Sequence, residues 1–336
     1  MTYSRSELMA TPTTSWRGRK VLVTGGAGFL GSSLCHSLSL RGARICAVDD
    51  FLADSGANPA NLDGAEVELV RGDIGKIDLR PLLAGTDVVF NLAARTSHMG
   101  GQDDPMSDLT INALAQLRLI QAVREAAPAA VIVHASTRQV YGRPRRLPVA
   151  EDHPVAPPDA NSISKLAGEQ YWMLEHRVRA ARVISLRLTN CFGPRMRIRD
   201  GLQSFLGLWI GRIVSRQPFE VWGGDQLRDF TFVDDVTEAF LAAAETSACQ
   251  GRVFNIGGTG PASLREIADL VVRMSGDGAR YTICDFPEDR SRIDIGSYHA
   301  DDCAFRDATG WSPAMSFPDG IRRTIGWFRR HGSAYL

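Results

Sequence analysis

Short apolar runs alternate with segments of helical period along most of the chain. Val21, Leu22 and Val23 form the first run, and Gly25, Gly28 and Gly31 follow it at G-x-x-G-x-x-G spacing. Beyond them Phe29, Leu30, Leu34 and Leu38 recur on one helix face. Ala43 to Asp50 predicts a second strand, and VELVRGDI, ending at Asp73 and Ile74, a third. Thr86 to Arg95 predicts a fourth, its continuous apolar run suiting a strand covered on both faces. Asp108 to Ala126 has helical periodicity. AAVIVHASTRQVYG predicts a fifth strand that runs into a loop at Ser136, Thr137 and Tyr141. A Pro-rich loop from Arg143 to Asp159 leads to the helix SISKLAGEQYWMLEHRV, and RVISLRLTNCFGPRM predicts a sixth strand and its loop. This alternation predicts an α/β fold with a parallel, doubly wound sheet of Rossmann type.

After Arg195 the pattern changes. Gln203 to Arg216 reads as an amphipathic helix, PFEVWGG as a short strand, RDFTFVDDVTEAFLAAAE as a loop and helix, and RVFNIGG as another strand. SLREIADLVVRMSG predicts a helix capped by Ser263, with Glu266 three residues on. A polar loop, PEDRSRIDIGSYHADD, precedes a closing helix, DGIRRTIGWFRRHG. The expected organisation is a loose extension over 1–19, a nucleotide-binding core over 20–190, and a smaller α/β lobe over 191–336 that returns some elements to the core.

Charge and cysteine content narrow the function classes. The 38 basic and 38 acidic residues cancel, which gives no support for nucleic acid or an anionic membrane as partner. The six cysteines are dispersed and form no C-x-x-C pair, so they read as reduced thiols rather than a disulfide frame or metal site. With no apolar run of membrane-spanning length and no apolar signal core, the expected location is the cytoplasm.

The candidate chemistry begins at the glycines. A strand that breaks into a Gly-rich turn and opens a helix is an anion site, because unpaired N–H groups and the positive dipole end face the ligand. Gly25 suits the tight turn, Gly28 a close approach to a pyrophosphate, and Gly31 helix packing against the strand. Asp49 lies about twenty residues further on, where a carboxylate accepts hydrogen bonds from an adenosine ribose and repels a 2′-phosphate; NAD is therefore expected over NADP. Asp73 and Ile74 are placed to flank an adenine.

The motifs TGGAGFLG, RGDI, NLAA, STRQVYG, SISKLAGE, LRLTN, GPRM, RDFTFVDDV and ADD followed by TGW stand in one order. Together they resemble the extended short-chain dehydrogenase/reductase family, the NAD-dependent nucleotide-sugar epimerases and dehydratases, from Lys20 to His331. The resemblance implies tightly held NAD, lined by Gly25, Gly28, Phe29, Leu30, Asp49, Asp50, Asp73, Ile74, Leu92, Ala93, Ala94 and Lys165. It implies a nucleotide-diphosphate sugar as substrate, near Ser136, Thr137, Asn190, Arg228 and Arg292, with Arg290 as the alternative to Arg292. Lys165 matches the lysine that holds the nicotinamide ribose, and Thr137 the Ser/Thr that bonds the reacting sugar hydroxyl. Tyr141, in the V-Y-G turn, reads as packing. The resemblance also implies a homodimer, through a four-helix contact made by Ala113 to Arg124 and Ser164 to Arg177.

Two departures bear on mechanism. The family's dyad is Tyr-x-x-x-Lys, yet Asn161 stands four residues before Lys165, and an amide is no base at neutral pH. His98, just past the fourth strand, and Lys165 acting with Thr137 are the substitute bases; Asn161 remains a candidate for positioning the sugar or ribose, and Cys191 reads first as core filler. Dehydratases and decarboxylases of this family carry an acid just after the Ser/Thr, where this chain has Arg138 and Gln139. Epimerisation is therefore expected over loss of water, and the resemblance implies that it takes place at C4 through a transient keto sugar. The alternatives are a non-catalytic sugar-nucleotide binder and a related oxidoreductase or dehydratase.

Overall fold

The computed structural model describes residues 14–52, 55–96, 103–276, 278–288 and 292–336. Twelve strands lie in these residues: β1 Lys20–Thr24, β2 Arg44–Asp49, β3 Glu68–Arg71, β4 Val88–Asn91, β5 Val131–Thr137, β6 Arg182–Leu188, β7 Asn190–Phe192, β8 Phe219–Trp222, β9 Leu227–Phe232, β10 Val253–Ile256, β11 Pro261–Ser263 and β12 Tyr281–Cys284. Seven form one sheet in the order β10-β6-β5-β4-β1-β2-β3, with every pairing parallel. The strand order reverses between β1 and β4, and such a switch point opens a crevice beyond the carboxyl ends of the strands. The register sets Thr24 beside Val48 and Asn91, and Thr137 beside Leu188, so five strands end on one edge of that crevice.

Helices cover both faces. Phe29–Leu40 follows β1 directly. A helix over Pro105–Leu109 runs through a π-turn at Thr110–Leu114 into Ala115–Ala126, and packs beside Ala160–Arg179. The two approach closely at Gly168, where a Cβ would lie 2.4 Å from the Asn112 carbonyl oxygen. Asp159 caps the second of them by accepting the Ser162 amide at 2.7 Å, with Ser162 returning to the Asp159 amide.

The C-terminal part builds two small sheets, β11-β9-β7 and β12-β8, over a second apolar core that holds Phe192, Trp209, Phe230 and Phe232. It also returns β10 to the main sheet, and Phe240 and Trp311 to the main core. The Ser263 cap is present: Ser263 accepts the Glu266 amide at 3.2 Å, and Glu266 accepts the Ser263 amide at 2.8 Å.

Two expectations change. RDFTF is strand β9, not loop: its backbone pairs between β7 and β11, Phe230 and Phe232 enter the second core, and Arg228 and Asp229 find distant partners. The loose extension does not reach Arg19: Trp16 is fully buried, 5.9 Å from the Phe90 ring, with the Arg19 guanidinium over its outer face. One indole covering the end of the main core binds that segment to the fold.

Candidate active site

The glycine turn is shaped by contacts that no side chain could share. Gly25 has φ +68°, and a Cβ there would lie 2.9 Å from the Ala93 amide nitrogen. At Gly31 a Cβ would lie 2.1 Å from the Gly25 carbonyl oxygen, so the helix seats against the turn only without one. Gly28 differs: its φ is ordinary, and a Cβ would meet only the Gly25 oxygen, at 3.2 Å. The space beyond it is the cleft. Thr24 fastens the opposite wall, with its hydroxyl accepting the amides of Leu92 and Ala93 at 3.2 and 3.1 Å.

Gly25, Gly28, Phe29, Leu30, Asp49, Asp50, Asp73, Ile74, Leu92, Ala93 and Ala94 all line this single cleft. Asp49 is buried at the end of β2 and accepts the amides of Ala27 and Phe51, each at 3.0 Å. Burial raises its pKa, while those amides favour the charged form. A carboxylate at this depth, held beside the glycine turn, suits a ribose diol. Open space at Gly28, the amides at the start of the Phe29–Leu40 helix, and Asp49 together fit NAD.

The far end of the cleft carries Ser136, Thr137, Asn161, Lys165 and Asn190. Thr137 caps the turn that follows β5 by accepting the Gln139 amide at 3.2 Å. Asn161 is fully buried, and its Nδ2 donates to the Arg95 carbonyl at 2.8 Å and to Asp108 Oδ1 at 2.9 Å. Its Oδ1 has no partner, so the amide offers the cleft an acceptor and no donor. Lys165 is buried, and its ammonium makes no hydrogen bond or ion pair among the described residues. Burial lowers its pKa to about 8, against a pull upward from Asp108.

A buried ion pair stands behind these groups. Arg187 donates to Glu169 at 2.9 and 2.6 Å, and Ser136 Oγ donates to the same carboxylate at 2.6 Å. Glu169 lies one turn beyond Lys165, so the pair ties the lysine's helix to β5 and β6. Tyr141 is fully buried; its hydroxyl donates to Asn255 at 2.8 Å, and burial raises its pKa, which suits packing and not proton transfer. Burial likewise pushes the Cys191 thiol up to about 12, leaving it protonated.

Several expected groups lie elsewhere. His98 and Arg290 fall outside the described residues. Arg292 is exposed and paired with Glu288 at 3.1 Å, away from the cleft wall. Arg228 is buried but turned inward, donating to Asp294 at 2.8 Å and to the carbonyls of Leu227 and Gly296. As it stands, an internal carboxylate holds the charge expected to meet a diphosphate. Two residues of the site were missed. Asp108, where helical periodicity marks no special position, is a buried carboxylate behind the cleft, bonded to Asn161, and Arg138, noted only as unable to act as an acid, lines the wall itself. Among the described residues no group of His, Cys, Asp or Glu could hold a metal ion, and no helix is long and apolar enough to cross a membrane.

The sheet order, the glycine turn on its first strand and the buried lysine on the helix opposite define a dinucleotide-dependent protein of the extended short-chain dehydrogenase/reductase class. The chain belongs to the NAD dependent epimerase/dehydratase family, whose model matches residues 21–257; NAD is its cofactor. It is 32% identical over 319 residues to the UDP-glucose 4-epimerase of Mycolicibacterium smegmatis, covering 92% of this chain and 98% of that one. An epimerase structure from Methanothermobacter thermautotrophicus superposes with a TM-score of 0.88 at 25% identity, over 95% of each chain. The UDP-glucuronic acid 4-epimerase of Bacillus cereus, solved with NAD, gives 0.79 at 28% identity over 92% of this chain and 96% of that one.

Proposed function

We propose that the protein is an NAD-dependent nucleotide-sugar 4-epimerase in which Lys165 moves the proton that a tyrosine moves elsewhere in the family. The observation that carries this is the unpaired, buried ammonium of Lys165, with a pKa of about 8, at the end of the cleft that holds Thr137. The relatives named above support a uridine diphosphate sugar as substrate. Bound NAD supplies hydride acceptance and return at the sugar carbon. Thr137 orients the sugar hydroxyl, neutral Lys165 takes its proton directly or through one water, and the same ammonium gives the proton back. Asn161 Oδ1 accepts a hydrogen bond from the sugar or ribose, and the cleft walls exclude water from the keto sugar. Arg138 and Gln139 leave no acid for elimination, which favours epimerisation over loss of water.

The sign of the pH dependence follows. The working form of Lys165 is the neutral amine, so kcat/KM rises with pH and levels off above an inflection near 8. A pH–rate profile checks this; activity falling as pH rises from 7 to 9 would contradict a lysine base.

A second reading rests on Asn161. Its donors are committed to Asp108 and Arg95, so the dyad's first position has no proton to give. On that reading the protein binds a sugar nucleotide without converting it. Mass spectrometry of the purified protein tests what both readings share, that NAD and a sugar nucleotide co-purify.

The homodimer has support independent of the resemblance. Leu109, Leu114 and Leu117 on one helix, and Ile163, Tyr171, Leu174 and Val178 on its neighbour, are exposed. An apolar face of that extent on paired helices suits burial against its own copy about a two-fold axis. Val178→Glu, at a position 62% exposed, should convert the dimer to monomer in light scattering without lowering the melting temperature of the isolated chain. A wild type that is monomeric at high micromolar concentration would remove the proposal.

A further inference from the structure

Arg138 carries a charge that the proposed proton transfer does not use. It follows Thr137 at the end of β5 and lines the cleft. Its Nη2 donates to Asn190 Oδ1 at 2.9 Å, and its guanidinium carbon lies 5.1 Å from the centre of the Tyr298 ring. Nη1 is shut off from solvent and donates to nothing. Neighbouring arginines are matched with acids: Arg228 with Asp294, Arg197 with Asp200, Arg187 with Glu169. Among the described residues no carboxylate bonds Arg138. Burial, and then the nearness of Arg228, lowers its pKa to about 10, which still leaves it charged at neutral pH.

A secluded cation whose one hydrogen-bond acceptor is a neutral amide is costly, since desolvation is offset only by an opposite charge and a full set of hydrogen bonds. Arg228, Arg197 and Arg187 each have a carboxylate partner, while Arg195, which does not line the cleft, bonds the Ser33 hydroxyl. A cleft-wall arginine without one is matched instead by what enters the cleft. The guanidinium fork suits two oxygens of one anion, and an oxyanion is a stronger acceptor than the Asn190 amide.

We propose that Arg138 is an oxyanion-binding residue of the nucleotide-sugar site, released from Asn190 to pair with a substrate phosphoryl group or with a carboxylate on the sugar ring. The proposal rests on the nucleotide-sugar reading. Arg228 is held by Asp294, which leaves Arg138, along with the Lys165 used in proton transfer, as a cleft cation that no carboxylate bonds. The two sources share one chemistry, a bidentate oxyanion, and differ in which sugar nucleotides depend on the residue.

The test uses NAD-loaded protein with Arg138→Met, which keeps the apolar stem, and Arg138→Lys, which keeps the charge without the fork. Titration calorimetry with UDP-glucose and UDP-glucuronic acid should show Arg138→Met weakening at least one of them by roughly 10- to 100-fold, the usual worth of hydrogen bonds to a charged group. Arg138→Lys should fall between. Equal losses for the two sugars assign the anion to a phosphoryl group, and a loss confined to UDP-glucuronic acid assigns it to the ring carboxylate. The melting temperature of the substrate-free Arg138→Met protein should hold or rise. Unchanged affinities, or a large fall in melting temperature with affinities intact, would make Arg138 a packing residue and overturn the proposal. If wild type binds neither sugar nucleotide, the nucleotide-sugar reading has failed. Inorganic pyrophosphate then becomes the probe: binding lost in Arg138→Met keeps the oxyanion site, and binding equal to wild type removes it.

Discussion

Lys165→Met should lower turnover by roughly 100- to 10,000-fold, the range for loss of a general acid–base group. Methionine keeps the apolar stem, so the helix should pack as before. The ammonium has no partner among the described residues, and burial already disfavours its charge. Replacing it by a thioether therefore costs little stability, and the melting temperature should stay within a few degrees of wild type. Asp108 remains bonded to Asn161 in the variant. The comparison is His98→Gln, which keeps size and hydrogen bonding. If His98 is the base, that change carries the 100-fold loss and Lys165→Met acts mainly on binding; with Lys165 as base, His98→Gln costs little. Steady-state kinetics on both variants separates the two.

Gly28→Val should abolish NAD binding in a folded protein. The backbone at Gly28 is open to any residue, and a Cβ meets only the Gly25 oxygen, at 3.2 Å. The branches of valine then occupy the cleft where a pyrophosphate would approach the helix start. Gly31→Val should behave differently. A Cβ at 2.1 Å from backbone forces the helix off the turn, so folding fails along with binding. Circular dichroism and cofactor absorbance after desalting tell these apart: Gly28→Val keeps its melting transition and loses NAD. If it purifies with NAD at full occupancy, the pyrophosphate sits elsewhere.

The glycine turn was legible in the sequence because its requirements are local. A positive φ at Gly25 and a close approach at Gly31 leave glycines at fixed spacing beside an apolar strand, and Asp49 follows within one βαβ unit. The second half of the site was less legible because its partners are distant. Arg228 and Asp229 looked like loop charges. Both are buried, Arg228 on Asp294 and Asp229 on the amides of Gly258 and Ala300, so the strand they belong to was hidden. Asp108 has no local signature, since its role appears only when Asn161 is folded against it. Arg292 matched an expected loop position, but it is exposed, pairs with Glu288 at the surface and does not line the cleft. Trp16 was passed over as part of a polar terminus, although a single large ring is enough to bury a segment.

The central claim, catalysis of epimerisation without the tyrosine, is tested most directly with a sugar nucleotide deuterated at C4. Incubated with NAD-loaded protein, UDP-glucose labelled at that carbon should appear by NMR as UDP-galactose with the deuterium retained, because the hydrogen leaves and returns inside one closed site. UDP-glucuronic acid labelled in the same way covers a carboxylated substrate. No reduced cofactor should accumulate, and the rate should fall with Lys165→Met. Sugar nucleotides that bind tightly and are recovered unchanged, from wild type and Lys165→Met alike, would contradict the claim and leave the protein a binder.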